Sequence, residues 1–209
     1  MYTAIIHFEN HKHIAKRFSG LLTKYLRENN LILIDASDPK GITDILNPRW
    51  TFISYITLQG NNAVDTKDPA NVADDTAEWI ANNKPEPERF VFITDLNPEM
   101  LSSSDSILKY GPDVLAKLSE YLRVQNVRNL VADKNILVVF LTGYGLEKAL
   151  KLHNEWKNID VKVIGYGDKG HLPTVPEALN ELQQDGAKVI HVDRGKDEEW
   201  AAELISKWI

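Results

Sequence analysis

Apolar positions along the chain recur with two periods, and they alternate between them. Thr3 to Phe8 is a short apolar run that predicts a first strand. Residues 11 to 28 carry Ile14, Phe18, Leu21, Leu22 and Tyr25 at helical spacing, which predicts an amphipathic helix. Leu31-Ile32-Leu33-Ile34 predicts a second strand, ended by Asp35-Ala36-Ser37-Asp38-Pro39. Ile42 to Leu46 predicts a short helix stopped by Asn47-Pro48. Trp50 to Leu58 alternates and is rich in β-formers, so it reads as a strand. Gln59 to Pro69 is polar and reads as a loop. Val72 to Asn82 reads as a helix with Trp79 and Ile80 on its apolar face.

Lys84-Pro85-Glu86-Pro87-Glu88 is a rigid linker into the next apolar run, Phe90-Val91-Phe92-Ile93-Thr94. β-Branched and aromatic residues bounded by a proline loop predict a buried strand there. Leu101 to Lys109 is serine-rich and polar. Pro112 then opens a helix with Val114, Leu115, Leu118, Tyr121 and Leu122 on one face, because proline suits a first helical turn. Asn135 to Leu141 is the most apolar strand and should be central. A helix from Leu146 to Lys157, a strand from Val161 to Tyr166 and a helix from Val175 to Gln184, closed by Gly186, follow. The chain finishes with a strand, Lys188 to Val192, and an amphipathic helix, Glu198 to Trp208. In that helix Trp200, Leu204 and Trp208 pack toward the sheet.

Strands alternating with helices imply right-handed β-α-β crossovers and a largely parallel sheet with helices on both faces. The length, 209 residues, suits one α/β domain, residues 1 to 209. Residues 47 to 88 read as an insertion on that frame and residues 187 to 209 as a carboxyl-terminal extension by one strand and one helix. After the first strand, Phe8-Glu9-Asn10-His11 is not a glycine fingerprint, and no glycine-lysine phosphate loop occurs. A dinucleotide-binding domain and a P-loop nucleotidase are therefore disfavoured.

Composition narrows the chemistry. The chain has no cysteine, which removes disulfides, thiolate zinc sites and a cysteine nucleophile. Its formal net charge of -6 argues against general nucleic-acid binding, which needs basic patches to neutralise phosphate. Lys12, Lys16, Arg17 and Lys24 fit the solvated face of the first helix. The longest apolar stretches are strand-length and no secretory signal is visible, so the expectation is a cytoplasmic protein without a membrane span. His7, His11 and His13 invite a zinc reading. Residues two apart cannot face each other on a helix, however, so His11 and His13 do not make a metal pair.

The polar residues that remain stand at strand exits. Asp95 closes the Phe90 strand, with Asn97 two residues on; Glu9 and Asn10 follow the first strand. Thr142 with Gly143-Tyr144-Gly145 follows the Ile136 strand, and Tyr166, Asp168, Lys169 and His171 follow the Val161 strand. In a parallel sheet these exits share one edge, where open α/β sheets hold their ligands. Glu9 and Asp95, with a carbonyl near Asn97, form an oxygen-rich set suited to Mg²⁺. A lysine and a hydroxyl opposite them would hold phosphoryl oxygens. The plainer readings stand beside these. Asp95 is also an ordinary turn residue before Leu96-Asn97-Pro98. Glu9 is equally a helix-dipole partner. Thr142 can be a strand end, Lys169 a solvated loop lysine and Tyr166 core packing.

The order of these motifs resembles the receiver domain of two-component response regulators. It is carried by Ile93-Thr94-Asp95-Leu96-Asn97-Pro98-Glu99-Met100, by Val138-Val139-Phe140-Leu141-Thr142-Gly143-Tyr144-Gly145 and by Tyr166-Gly167-Asp168-Lys169, over roughly residues 1 to 182. The resemblance implies a three-layer, flavodoxin-like parallel sheet with a central strand order near 2-1-3-4-5. It implies a phosphoryl group accepted on Asp95, contacts from Thr142 and Lys169, Mg²⁺ held by Glu9, Asp95 and Asn97, and an aromatic switch at Tyr166. It also implies a protein partner, either a kinase or an output protein, and is compatible with a homodimer.

The chain departs from the receiver pattern in several places. One acid, Glu9, stands where receivers carry a pair, Gly170 follows the lysine, and no DNA-binding output segment is visible. These point to a divergent or pseudo-receiver. Two other function classes share the same crevice: a small-molecule hydrolase or transferase, and a non-catalytic interaction domain. The tail from Val161 through Glu177-Ala178-Leu179 to Gly186-Ala187-Lys188-Val189-Ile190 also resembles isochorismatase-like hydrolases. An active member needs the cysteine this chain lacks.

Overall fold

The computed structural model describes residues 2–9, 12–29, 31–35, 52–57, 77–78, 80–82, 87–94, 119–120, 127–143, 162–165, 170–184 and 188–209. Seven strands form its sheet: β1 (Tyr2–Phe8), β2 (Ile32–Asp35), β3 (Phe52–Thr57), β4 (Arg89–Thr94), β5 (Ile136–Thr142), β6 (Lys162–Ile164) and β7 (Lys188–Asp193). Four helices are described in full: α1 (Lys12–Glu28), α2 (Val127–Ala132), α3 (Val175–Gln183) and α4 (Glu198–Trp208). Each predicted strand is present within two residues of its expected ends. Residues 77–78 and 80–82 are helical, as the Val72–Asn82 reading expects. The predicted helices at Ile42–Leu46 and Leu146–Lys157, and most of the Pro112 helix, lie outside the described residues.

Every strand pairing is parallel. The strand order is β2-β3-β1-β4-β5-β7-β6. Here the structure differs from expectation in two places. β3, from the segment read as an insertion, lies between β2 and β1. β7, read as an extension, lies between β5 and β6. The physical reason is that a strand buried on both faces reads as the same apolar run wherever it stands in a parallel sheet. Its neighbours are not written in it. The relative order of the other strands, β2, β1, β4, β5 and β6, is kept, and β1 pairs with β4 as expected.

Strand alternation sorts the side chains onto two faces. Ile5, Val91, Ile93, Leu137, Val139, Leu141, Ile164, Ile190 and Val192 share one core with α1, α3 and α4. Phe18, Leu22 and Leu26 of α1 recur every four residues and are fully buried in it. Ala201 and Ala202 of α4, also fully buried, present small side chains to that core. Each large apolar side chain buried there stabilises the fold by roughly 1.5–3 kcal/mol. The opposite face holds Ala4, Ile6, Phe8, Phe92, Val138 and Phe140, all buried. Phe8 stacks on Phe92 at 6.3 Å between centroids and Phe92 on Phe90 at 5.7 Å. Both faces are covered, so the sheet is the middle of three layers.

Local signals fix the last helices. Thr174 caps α3: its hydroxyl accepts from the Glu177 backbone N–H at 3.4 Å, and the Glu177 carboxylate accepts the Thr174 N–H at 2.7 Å. Pro176 sits in the first turn, where its missing N–H costs nothing. Trp200 of α4 donates its indole N–H to the Pro173 carbonyl at 2.8 Å, which ties α4 to the start of α3. Trp208 lies under the Arg89 guanidinium, 5.3 Å from its ring centroid. The expected packing of both tryptophans against the sheet side is what the structure shows. Among the described residues no helix is long and apolar enough to cross a membrane.

Candidate functional site at the carboxyl edge of the sheet

Because all seven strands run the same way, their exits line one edge. The chain leaves β1 toward β2 on one side of the sheet and later crosses to β4 on the other. The crevice outside β1 and β4 is therefore the switch point, where ligands of such sheets bind. The paired register ends at Phe8↔Thr94, one residue short of the two acids that sequence singles out.

Glu9 leaves β1 into this crevice and its side chain has 0% exposure. A carboxylate so buried needs a partner. The partner is Arg194, whose Nη1 donates to Glu9 Oε2 at 3.1 Å. Arg194 stands just after β7, and its backbone N–H donates to the Thr142 carbonyl at 2.7 Å. Between β7 and β1 lie β5 and β4. The Arg194 side chain thus reaches across the exits of two strands to meet Glu9. Gly143, at the exit of β5, permits the passage: a Cβ there would lie 3.0 Å from Arg194 Nη2. Gly195, with φ of 99°, supplies the turn that follows the arginine.

A second ion pair joins the first. Arg17 of α1 makes two hydrogen bonds to Glu198, Nε to Oε2 at 2.9 Å and Nη2 to Oε1 at 2.5 Å. Bidentate geometry of this kind is the strong form of the pair. The Glu198 hydrogen bond holds the Arg17 pKa above its ordinary value despite partial desolvation, and Glu9 adds to the effect through its charge. Glu198 is the first residue of α4, where a carboxylate also complements the helix dipole. The four charges link the exits of β1 and β7 to the second turn of α1 and the start of α4.

His7 lies two residues before Glu9, fully buried, edge-on to Phe18 with ring centroids 5.7 Å apart. Burial, and next the nearby Arg194 charge, lower its pKa to about 3, so it is neutral in the folded protein. His13 is exposed on α1 and His11 lies outside the described residues.

The sequence-predicted site residues divide as follows. Glu9 is at the edge, paired with Arg194. Thr142 is at the edge and fully buried; alternation sets its side chain on the Phe140 face, and its carbonyl anchors Arg194. Asp95, Asn97, Tyr166 and Lys169 lie outside the described residues. Sequence reasoning missed Arg194. The available signal is Asp193-Arg194-Gly195 directly after a buried strand, a cation on the same edge as the acids.

Of the three residues expected to hold Mg²⁺, Glu9 is described, and Asp95 and Asn97 lie outside the described residues. The carboxylate at the edge already accepts from a guanidinium, and among the described residues no three His, Cys, Asp or Glu side chains come together as a ligand set.

The opposite edge carries a cleft of about 610 Å³, lined by Arg89, Lys134, Lys188 and Lys207 among others. The carboxyl-terminal ends of α2, α3 and α4 meet there. Cations at helix carboxyl ends offset the dipoles and cap the last carbonyls, as Lys188 does for Gln184 at 3.1 Å. That cleft is accounted for by structure.

The fold and its charged edge define an all-parallel α/β protein with a fixed arginine at its switch point. Comparison with protein-family models, curated proteins and solved structures finds no match.

Proposed function

We propose that this chain is a receiver-like regulatory module that takes a phosphoryl group on Asp95 and acts through a protein partner. One observation carries the reading: the Arg194 guanidinium is held by Glu9 across the exits of β4 and β5, at the switch point of a parallel sheet. A half-buried guanidinium at a sheet edge is a ready partner for a tetrahedral oxyanion. The order of Asp95, Thr142 and Lys169 along the sequence supports the same reading, as does the adjacency of β1 and β4 in a flavodoxin-like frame.

In the proposed reaction an Asp95 carboxylate oxygen attacks phosphorus of an acyl phosphate. The bond from phosphorus to the acyl oxygen breaks, and the carboxylate leaves with the electron pair. Lys169 and Thr142 would hold the phosphoryl oxygens, with Asn97 beside them. The new dianion competes with Glu9 for Arg194. Because Glu9 also acts on Arg17, the change reaches Glu198 and the start of α4, and Tyr166 repacks. The response is a shift between two populations, biased by the charge added at the edge. Intact mass spectrometry after incubation with acetyl phosphate tests the reading. A single phosphoryl adduct in the wild type, absent in Asp95→Asn, is expected. Turnover of a phosphorylated metabolite without an adduct would favour a hydrolase instead.

A further inference from the structure

We infer that the solvent face of α1 is a docking face for an acidic helix of a partner protein. This surface is separate from the phosphoryl chemistry proposed above, and neither depends on the other.

His13, Lys16, Gly20, Lys24 and Arg27 of α1 are all exposed. They lie on one stripe, because steps of three and four residues return to the same side of a helix. Lys16, Lys24 and Arg27 give the stripe three cations. The only acid of α1, Glu28, is its last residue. None stands in the first turn, so the positive end of the helix dipole adds to the same potential. Lys24 is held on the stripe by the Tyr25 ring, 4.9 Å from its centroid, and by Glu199 at 3.9 Å. Lys16 and Arg27 make no ion pair among the described residues.

Gly20 stands at the centre of the stripe. A glycine inside a helix weakens it relative to alanine, so it calls for a cause. The fold supplies none. Gly20 is not among the glycines with positive φ, and a Cβ built on it would meet nothing within 4 Å. A backbone approaching closely from outside is the remaining use of a glycine. The neighbouring surface is low as well: Ser19 and Thr23 are half-buried, and the Thr23 hydroxyl donates back to the Ser19 carbonyl at 2.8 Å.

Charge selects the occupant. A second copy crossing α1 on α1 at Gly20 would set lysine against lysine. An anionic membrane takes up helices that insert their apolar face, whereas Ile14, Phe18 and Leu22 of α1 are buried in the core. A nucleic acid would be repelled by a chain of net charge -6. An acidic helix crossing at Gly20 would set its carboxylates against Lys16 and Lys24, four residues to either side.

The probe is a synthetic helical peptide with glutamate at every fourth position beside a row of alanines, added at low salt to the ¹⁵N-labelled full chain. Saturable amide shifts from Lys16 to Arg27 are expected, and they should vanish at high salt. Reversing two charges together, Lys16→Glu with Arg27→Glu, should weaken binding by about tenfold or more. Gly20→Gln separates docking from folding. It should raise Tm by about 2 °C, since glutamine is the better helix former, and still weaken the peptide about tenfold by filling the gap. A Gly20→Gln chain that melts lower, or that binds the peptide as wild type does, overturns the assignment. Binding that survives the double charge reversal overturns it too, as does the absence of any shift on α1. Tighter binding to α1 by a DNA duplex or by phosphatidylserine vesicles would name another occupant and overturn the acidic helix. Shifts on α1 that follow protein concentration without peptide would do the same in favour of a second copy.

Discussion

Glu9 and Arg194 are 185 positions apart in sequence and 3.1 Å apart in space, one at the exit of β1 and the other at the exit of β7. Their ion pair is 0% exposed on the Glu9 side and 20% on the Arg194 side. Breaking a buried pair from one side leaves a charge without compensation, at a cost of about 3–5 kcal/mol. Arg194→Ala is expected to lose an amount of that order in urea denaturation. Glu9→Gln, which leaves a partly exposed guanidinium, should lose less. Equal, small losses for both variants would show that the pair is solvated in solution.

Gly143 is expected to report on the path of the arginine. A methyl group there would meet Arg194 Nη2 at 3.0 Å, the far end of a flexible side chain. Gly143→Ala should therefore fold, at a cost of about 1 kcal/mol, the typical scale of a point change. In the Arg194→Ala background the same substitution should cost nearly nothing. A double-mutant cycle measures that coupling, and additive effects would place the guanidinium elsewhere.

Stability should fall with acid because of His7. Its folded pKa, about 3, lies below its ordinary value of 6.5. The unfolded chain therefore takes up the proton first, and protonation pulls toward unfolding. The His7 contribution is fully present above about pH 6.5 and is lost as pH falls toward 3, at up to about 1.4 kcal/mol per pH unit. His7→Leu should flatten the unfolding free energy between pH 6 and 4 relative to wild type. An unchanged slope would mean that His7 gains a charge without unfolding.

The Arg17–Glu198 pair should matter more for the register of α4 than for its stability. Arg17 is 52% exposed, so solvent screening reduces the worth of its bidentate bonds to about 1 kcal/mol. Arg17→Met is expected to cost that much by thermal or urea unfolding, with a weak dependence on salt. Amide exchange at the first turn of α4 should rise several-fold, and no change there would uncouple α4 from the edge.

How much of this was legible in sequence depended on the kind of information needed. The seven strands were visible because buried β-branched runs such as Ile136–Thr142 carry their own signal. α1 was visible from Ile14, Phe18, Leu21, Leu22 and Tyr25 at helical spacing, and α3 was expected from Val175 to Gln184. α2 was not, because the six residues Val127–Ala132 are too short to show a period. The places of β3 and β7 in the sheet were not visible either, since an apolar run does not name its neighbours. For the site, the crevice between β1 and β4 followed from strand order, so Glu9 could be placed. Arg194 could not: reading it needed to know that β7 returns between β5 and β6, which brings its exit to Thr142.

The proposed function requires that an oxyanion at the carboxyl edge meet Arg194. The most direct measurement is the arginine Nε–H spectrum of ¹⁵N-labelled protein titrated with beryllofluoride, a phosphoryl mimic, with the Arg194 signal assigned by its loss in Arg194→Lys. The expected result is a saturable shift of the Arg194 signal in wild type, absent in Asp95→Asn. A titration that leaves the Arg194 signal in place, or shifts it equally in Asp95→Asn, would contradict the claim.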